Sequence, residues 1–308
     1  MGNSLYCLSA FRAGVAVARV IPRSAGQWIG RQIGVASYRR RPQAQAAIRA
    51  NLHAVTGKEG AELDALCVAN VRNFSHMVAD YFYCASRKPA EAARLVQRWR
   101  GFEHLEAARA RGKGVIIVTG HLGHWELGGI LLTERGLPMT VITLDEPSTA
   151  LTEWRDDYRR RSGIQTIAVG PGREFGFVEM IQTLRRNECL AMLVDRPYAG
   201  TGAPVSFFGR PTQFSSGPAL LWQHTGAAVV PAFVVREADG VYSSFAEPII
   251  PMESGSDPRA AQQENTQRVA SAFEDIIRRF PEQWFNYTPI WPETPAPEPA
   301  PSAAPALS

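Results

Sequence analysis

Apolar residues fall into three successive patterns along this chain. From Leu5 to Val35 they recur at helical spacing (Leu5, Leu8, Phe11, Val15, Ala18, Ile21, Trp28, Ile29, Ile33) among Arg12, Arg19, Arg23 and Arg31. The pattern predicts one or two amphipathic helices broken near Pro22. No uninterrupted apolar run reaches the roughly 18 residues that a spanning helix needs. Residues 42–56 and 59–86 continue as two more helices, the second placing Leu63, Leu66, Val71, Phe74, Met77, Val78, Tyr81 and Phe82 at core spacing.

After Pro89 the pattern changes to strands alternating with helices. Strands are predicted at 115–119, 139–143, 165–169, 189–194 and 227–235, and helices near 103–111, 125–134, 149–162, 173–186 and 215–224. Such alternation implies an α/β fold, a mostly parallel central sheet flanked by helices. Residues 241–246 read as an antiparallel edge strand and 257–279 as a long amphipathic helix, followed by the aromatic close PEQWFNYTPIW. The tail 294–308, TPAPEPAPSAAPALS, has no apolar periodicity and is expected to be disordered. The expected organisation is therefore an N-terminal helical segment (1–41), a catalytic domain (42–293, helical to 88 and α/β from 89) and that Pro/Ala tail.

Charge adds a second layer to the N-terminal segment. Residues 1–58 hold eight arginines and Lys58 but no carboxylate, and the first acidic residue is Glu59. A solvated face, a nucleic-acid patch or a membrane-surface anchor would all account for such a block. Interleaved apolar residues favour an anionic membrane surface over nucleic acid, with a helix packed on the domain itself as the competing reading. A secretory signal fits poorly, because arginines interrupt any apolar h-region. Cys7, Cys67, Cys84 and Cys189 lack CxxC spacing and read as reduced core thiols. There is no GxxxxGK[ST] or helix-opening GxGxxG, so nucleotide and dinucleotide chemistry have no local support.

The sharpest chemical signal is VIIVTGHLGHWELGG, residues 115–129. A β-branched run ends at Gly120 and passes through a turn into a helix, so His121 and Glu126 stand where strand becomes helix, at a carboxyl sheet edge. Residues five apart on one helix point about 140° from each other, so a His121–Glu126 pair requires His121 to precede the helix. A histidine with a carboxylate partner is equipped for general-base catalysis, here on a bound hydroxyl, since no G-x-S-x-G elbow supplies a nucleophile. His121, His124 and Glu126 also resemble metal ligands, but no third ligand stands at recognisable spacing, and a metal-assisted hydrolase is the second reading. A non-catalytic lipid-binding module is the third.

Asp195, Arg196, Pro197 and Tyr198 follow the fourth strand and should share the cleft with His121. Beyond them the stretch GTGAPVSFFGRP reads as a loop carrying Phe207 and Phe208, with Ser215 and Ser216 as caps of the next helix. Arg173, after the turn GPG, is a candidate for a phosphate or oxyanion contact at a helix start.

Taken together, GHLGHWELGG, DRPYAGTGAPVSFFGRPTQFSSGPALLWQHTGAAVVPAF and PEQWFNYTPIW resemble the late acyltransferases of lipid A biosynthesis, within the lysophospholipid acyltransferase superfamily. The resemblance covers about residues 101–291. It implies transfer of a fatty acyl group from an acyl carrier protein or coenzyme A thioester to a hydroxyl of a lipid acceptor, with no further cofactor. It implies His121 as base and Glu126 as its partner, Arg173, Asp195 and Arg196 as polar site residues, and Phe207, Phe208 and Gly209 in the substrate cleft. Glutamate at the second dyad position favours the lipid A-like branch over glycerophospholipid acyltransferases, and the FPEGT block of the latter is replaced by VDRPYAG. Related enzymes acylate phosphatidylinositol mannosides. The implied location is the cytoplasmic face of the inner membrane, peripheral or monotopic.

Overall fold

The computed structural model describes residues 6–146, 148–170, 172–173, 175–197 and 202–291. Tyr198 and the tail 294–308 lie outside the described residues. The helical part runs α1 (Leu8–Val20), α2 (Arg23–Arg39), α3 (Pro42–Thr56), α4 (Gly60–Ala85) and the short α5 (Pro89–Ala93). The remainder follows as β1 (Val96–Arg100), α6 (Phe102–Ala110), β2 (Val115–Thr119), α7 (Trp125–Glu134), β3 (Met139–Leu144), α8 (Thr149–Arg161), β4 (Ile164–Val169), α9 (Gly176–Arg185) and β5 (Cys189–Leu193). Then come β6 (Gly202–Phe207), β7 (Arg210–Ser215), α10 (Gly217–Thr225), β8 (Ala228–Arg236), β9 (Tyr242–Ala246) and α11 (Pro258–Arg279), with a 3-10 turn at Pro281–Gln283.

Seven strands form one sheet in the order β1-β9-β8-β2-β5-β3-β4. From β8 to β4 every neighbouring pair is parallel, as the strand–helix alternation predicts. β9 runs antiparallel to β8 as expected, but it is not the edge, because β1 pairs with it in parallel. All five residues of β2 are buried, and its alternation divides the core into two layers. Ile116 and Val118 pack with Leu184 of α9, Leu221 of α10 and Phe273 of α11, whereas Val115 and Ile117 pack with Leu105 of α6, Leu127 of α7 and Leu151 of α8.

Two sequence expectations need correction. The stretch after Asp195 is not a plain loop: β6 and β7 form an antiparallel hairpin in which Phe207 pairs with Arg210 across Phe208 and Gly209, both at positive φ. The fourth helix of the α/β part starts at Gly176, not at Arg173, which stays in the preceding turn.

The N-terminal helices pack on the domain through one face. Arg23 grips Asp80 of α4 in a bidentate pair at 2.7 and 2.8 Å, and Gln27 adds bonds at 2.9 and 3.0 Å. Asp80 is fully buried and also accepts from the Tyr242 hydroxyl at 2.8 Å. A Cβ on Gly34 would lie 1.9 Å from Ser75 Oγ and 3.1 Å from Ser75 Cβ, so any larger residue there would have to displace Ser75. The opposite face leaves Val17, Val20, Trp28, Ile29 and Ile33 exposed. Among the described residues no helix is long and apolar enough to cross a membrane.

Candidate active site

β2 and β5 are neighbours, and Thr119 pairs with Leu193. His121 and Asp195 each follow two residues later, so the register delivers both to one spot at the carboxyl edge. Val194 donates its N–H to Thr119 O at 3.0 Å, which extends the pairing to that point. There the His121 Nδ1 lies 2.8 Å from Asp195 Oδ1, and the His121 backbone N–H donates to the same carboxylate at 3.1 and 3.2 Å.

Asp195 is buried and richly supplied with donors. Trp284 Nε1 and Asn286 Nδ2 each donate to Oδ2 at 3.0 Å. Burial alone would raise the carboxyl pKa, but His121, Arg196 and Asn286 outweigh it and hold the pKa far below the usual carboxylate range. The tautomer with its proton on Nδ1 donates to the ionised Asp195 carboxylate and leaves the Nε2 lone pair for another partner, whereas the other tautomer would accept from Arg196 Nε at Nδ1. Arg196 lies against the ring with its Nε 3.2 Å from Nδ1, and its NH2 group reaches Phe285 O at 3.5 Å. The ring is 22% exposed at its side chain, with Trp125 edge-on at 5.5 Å.

The turn that presents His121 is pinned by the C-terminal aromatic segment. Phe285 N donates to His121 O at 2.6 Å, and Gly123 N donates to Gln283 O at 2.9 Å. Gly123 has φ +62°, and a Cβ there would lie 2.0 Å from Val234 O. His124 caps α7: its Nδ1 accepts from Leu127 N at 3.3 Å. Burial lowers its pKa to about 4, so the cap is a neutral ring at ordinary pH.

Glu126 makes different contacts from those expected. Its carboxylate accepts from Arg155 at 2.7 Å and from Arg159 at 2.6 Å, both on α8. Burial raises its pKa, but the two arginines prevail and bring it to about 2. Glu126 begins the helix, and His121 precedes it across a turn, so the two side chains leave in different directions. The ring's carboxylate contact comes from Asp195. Nor do His121, His124 and Glu126 converge on one point, since each side chain is committed to a different element. Among the described residues no group of three His, Cys, Asp or Glu side chains is arranged to hold a metal ion.

The other predicted residues fall in two places. Arg173 is half exposed and pairs with Asp145 at 3.1 Å, at the edge beyond β3. Phe207 is fully buried and packs on Phe214, Trp284 and Trp291, while Phe208 lies under the Arg278 guanidinium at 4.9 Å. The FFG stretch thus backs Trp284, which holds Asp195. Trp284 and Asn286 are the site residues that sequence reading missed as polar groups, because PEQWFNYTPIW reads first as apolar filling.

A histidine whose Nδ1 is anchored on a buried carboxylate and whose Nε2 has no partner among the described residues is equipped to take a proton from a hydroxyl. Residues 4–292 match the family described as bacterial lipid A biosynthesis acyltransferase. A phosphatidylinositol mannoside acyltransferase of Mycobacterium tuberculosis (strain CDC 1551 / Oshkosh) is 29% identical over 246 residues, 79% of this chain and 76% of that protein. The protein of the same description from Mycolicibacterium smegmatis is 28% identical over 286 residues, 91% of this chain and 90% of its own. A lipid A biosynthesis acyltransferase of Haemophilus influenzae is 27% identical over 187 residues, 60% of this chain and 55% of that protein. With a match over nearly its whole length, the chain belongs to the bacterial lipid A biosynthesis acyltransferase family and is an acyltransferase.

Proposed function

We propose that this acyltransferase moves a fatty acyl chain from an acyl carrier protein or coenzyme A thioester to a hydroxyl of a glycolipid acceptor at an anionic membrane surface. His121 Nε2 removes the hydroxyl proton as the oxygen attacks the thioester carbonyl. The resulting imidazolium is stabilised by Asp195 through Nδ1 and returns the proton to the departing thiolate, giving an ester and a free thiol. Asp195 orients the ring, Trp284 and Asn286 hold Asp195, and Glu126 fixes α7 to α8 through Arg155 and Arg159. The observation that carries this reading is the 2.8 Å contact between His121 Nδ1 and Asp195 Oδ1.

Two acceptor types have support. A lipid A precursor-like acceptor follows from the family, and a phosphatidylinositol mannoside from the names of the mycobacterial relatives. The exposed apolar stripe of α1 and α2, beside Arg12, Arg19 and Arg39 to Arg41, supports a peripheral or monotopic seat on the cytoplasmic face of the inner membrane. Lipid mass spectrometry of the host with and without the gene tests the proposal. Loss of one ester-linked acyl chain from a single glycolipid class supports it and identifies acceptor and chain together. An unchanged lipid profile, with no thioester turnover by the purified protein, contradicts it.

A further inference from the structure

A second cluster of cationic groups stands one strand away from His121 and takes no part in that chemistry. β8 runs beside β2 and continues to Arg236, two residues past Val234, whose carbonyl accepts from His124 N at 2.7 Å. The Arg236 backbone is clamped by the Gln283 amide at 2.8 and 2.6 Å. The neighbouring Glu282 carbonyl accepts from Asn73 of α4 at 3.4 Å, which brings Arg236 to the same side of α4 as His76, three residues on. α2 approaches that side from the other direction. Gln27 reaches Asp80, so Arg31, one turn later on the antiparallel α2, stands beside His76, one turn earlier on α4. The charges of Arg236, Arg31 and Arg23 bear on the His76 ring, as does that of Asp80.

Two of these groups carry an atom without a protein partner among the described residues. Arg236 Nε and His76 Nδ1 are buried, and among the described residues neither has a hydrogen-bond partner. Among the described residues neither Arg31 nor Arg236 pairs with a carboxylate. The nearby acids are already occupied: Asp80 accepts from Arg23, Gln27 and Tyr242, and Glu237 from Arg98, Arg100 and Ser243. A buried donor left unpaired costs roughly 1–3 kcal/mol, so the open Arg236 Nε, with a second unpaired nitrogen on His76, favours an acceptor from outside the chain. Burial and the surrounding arginines hold His76 at about 4, neutral at ordinary pH, so the ring would offer a hydrogen bond beside the two arginine charges.

We propose that Arg31, His76 and Arg236 form a site for a phosphate-type anion at the junction of α2, α4 and the end of β8. Two guanidiniums and a neutral imidazole suit a phosphate monoester or diester, whose oxygens accept several donors at once. The anion comes either from a lipid headgroup or from free phosphate. Trp28, Ile29 and Ile33, exposed at 58%, 40% and 52% within a turn of Arg31, place an apolar rim on the same helix.

The test uses the full chain with isotope-labelled histidine, its His76 ring signal assigned by His76→Gln. Three probes are titrated separately: inorganic phosphate, monomeric dihexanoyl phosphatidic acid and dihexanoyl phosphatidylcholine. The His76 signal should move saturably with at least one anionic probe, and Arg31→Gln or Arg236→Gln should raise the midpoint at least tenfold. Arg236→Lys, which retains the charge if the glutamine variant unfolds, should raise it less, and Arg12→Gln on α1 should leave it unchanged. Response to phosphatidic acid without response to inorganic phosphate assigns the anion to a lipid headgroup; equal midpoints for the two show that the phosphate group alone suffices. The proposal is overturned by no response to either anion, by an equal effect of Arg12→Gln, or by a phosphatidylcholine response matching that of phosphatidic acid.

Discussion

His121 and Asp195, 74 residues apart, meet with Nδ1 2.8 Å from Oδ1 because Thr119 pairs with Leu193 in adjacent parallel strands. The same carboxylate also receives the His121 backbone N–H, the Trp284 indole and the Asn286 amide. It therefore fixes both the chain turn and the ring. Several expected outcomes follow from this arrangement.

Asp195→Asn keeps the side-chain volume but removes the charge and offers one acceptor oxygen where four donor groups now converge. The ring loses its fixed tautomer, and acyl-transfer kcat should fall by about 10²- to 10⁴-fold. Steady-state kinetics on a detergent-dispersed acceptor, with circular dichroism to verify folding, checks this outcome. A rate within threefold of wild type would detach Asp195 from the chemistry.

Glu126→Gln should act mainly through stability. It removes the buried carboxylate that Arg155 and Arg159 share, leaving them only Glu146 and Asp156, and breaking a buried pair in this way costs up to roughly 3–5 kcal/mol. The folded pKa of Glu126 is about 2 against the ordinary 4.5, so its contribution is complete above about 4.5 and is lost as pH falls toward 2. In denaturant titrations the gap between wild type and Glu126→Gln should be widest near neutrality and narrow through that window. A gap that does not change with pH contradicts the assignment.

Trp284→Phe fills nearly the same space between Phe207 and Trp291 but removes the donor to Asp195. The expected cost is about 1–3 kcal/mol, with kcat lowered and KM little changed, since the indole touches the orienting carboxylate and not the acceptor. A KM effect without a kcat effect would place Trp284 in the substrate cleft instead.

Much of this architecture was legible in the sequence, for identifiable reasons. β2 was readable because burial on both faces demands an unbroken run such as VIIVT, and the strand end located His121. The carboxylate partner was not readable from spacing within one segment, because it depends on which strand becomes the neighbour of β2. Asp195 could be assigned to the same cleft but not to the ring. β1 escaped because Val96–Arg100, VQRWR, is an edge strand with two arginines and a single fully buried residue. The inner face of α2 carried a signal that charge obscured: Gly26, Gly30 and Gly34 recur every four residues, and the last two lie against Ser75.

That packing changes how membrane binding is best tested. Deleting residues 1–41 would remove Arg23 from the buried Asp80 and uncover α4, so loss of function would carry no information about lipid. Replacing Trp28, Ile29 and Ile33 by serine alters only the outer face. With about 1 kcal/mol lost per half-exposed side chain, vesicle affinity should fall by roughly a hundredfold, with the fold intact. Undiminished co-sedimentation with anionic vesicles would place the membrane contact elsewhere.

The most direct measurement is a double-mutant cycle in single-turnover acyl transfer, comparing wild type, His121→Ala, Asp195→Asn and the double variant. If Asp195 acts by orienting the His121 ring, then once the ring is gone the second substitution has nothing further to remove, and the double variant should be no slower than His121→Ala alone. Rate losses that multiply independently would contradict a histidine and aspartate acting as one unit.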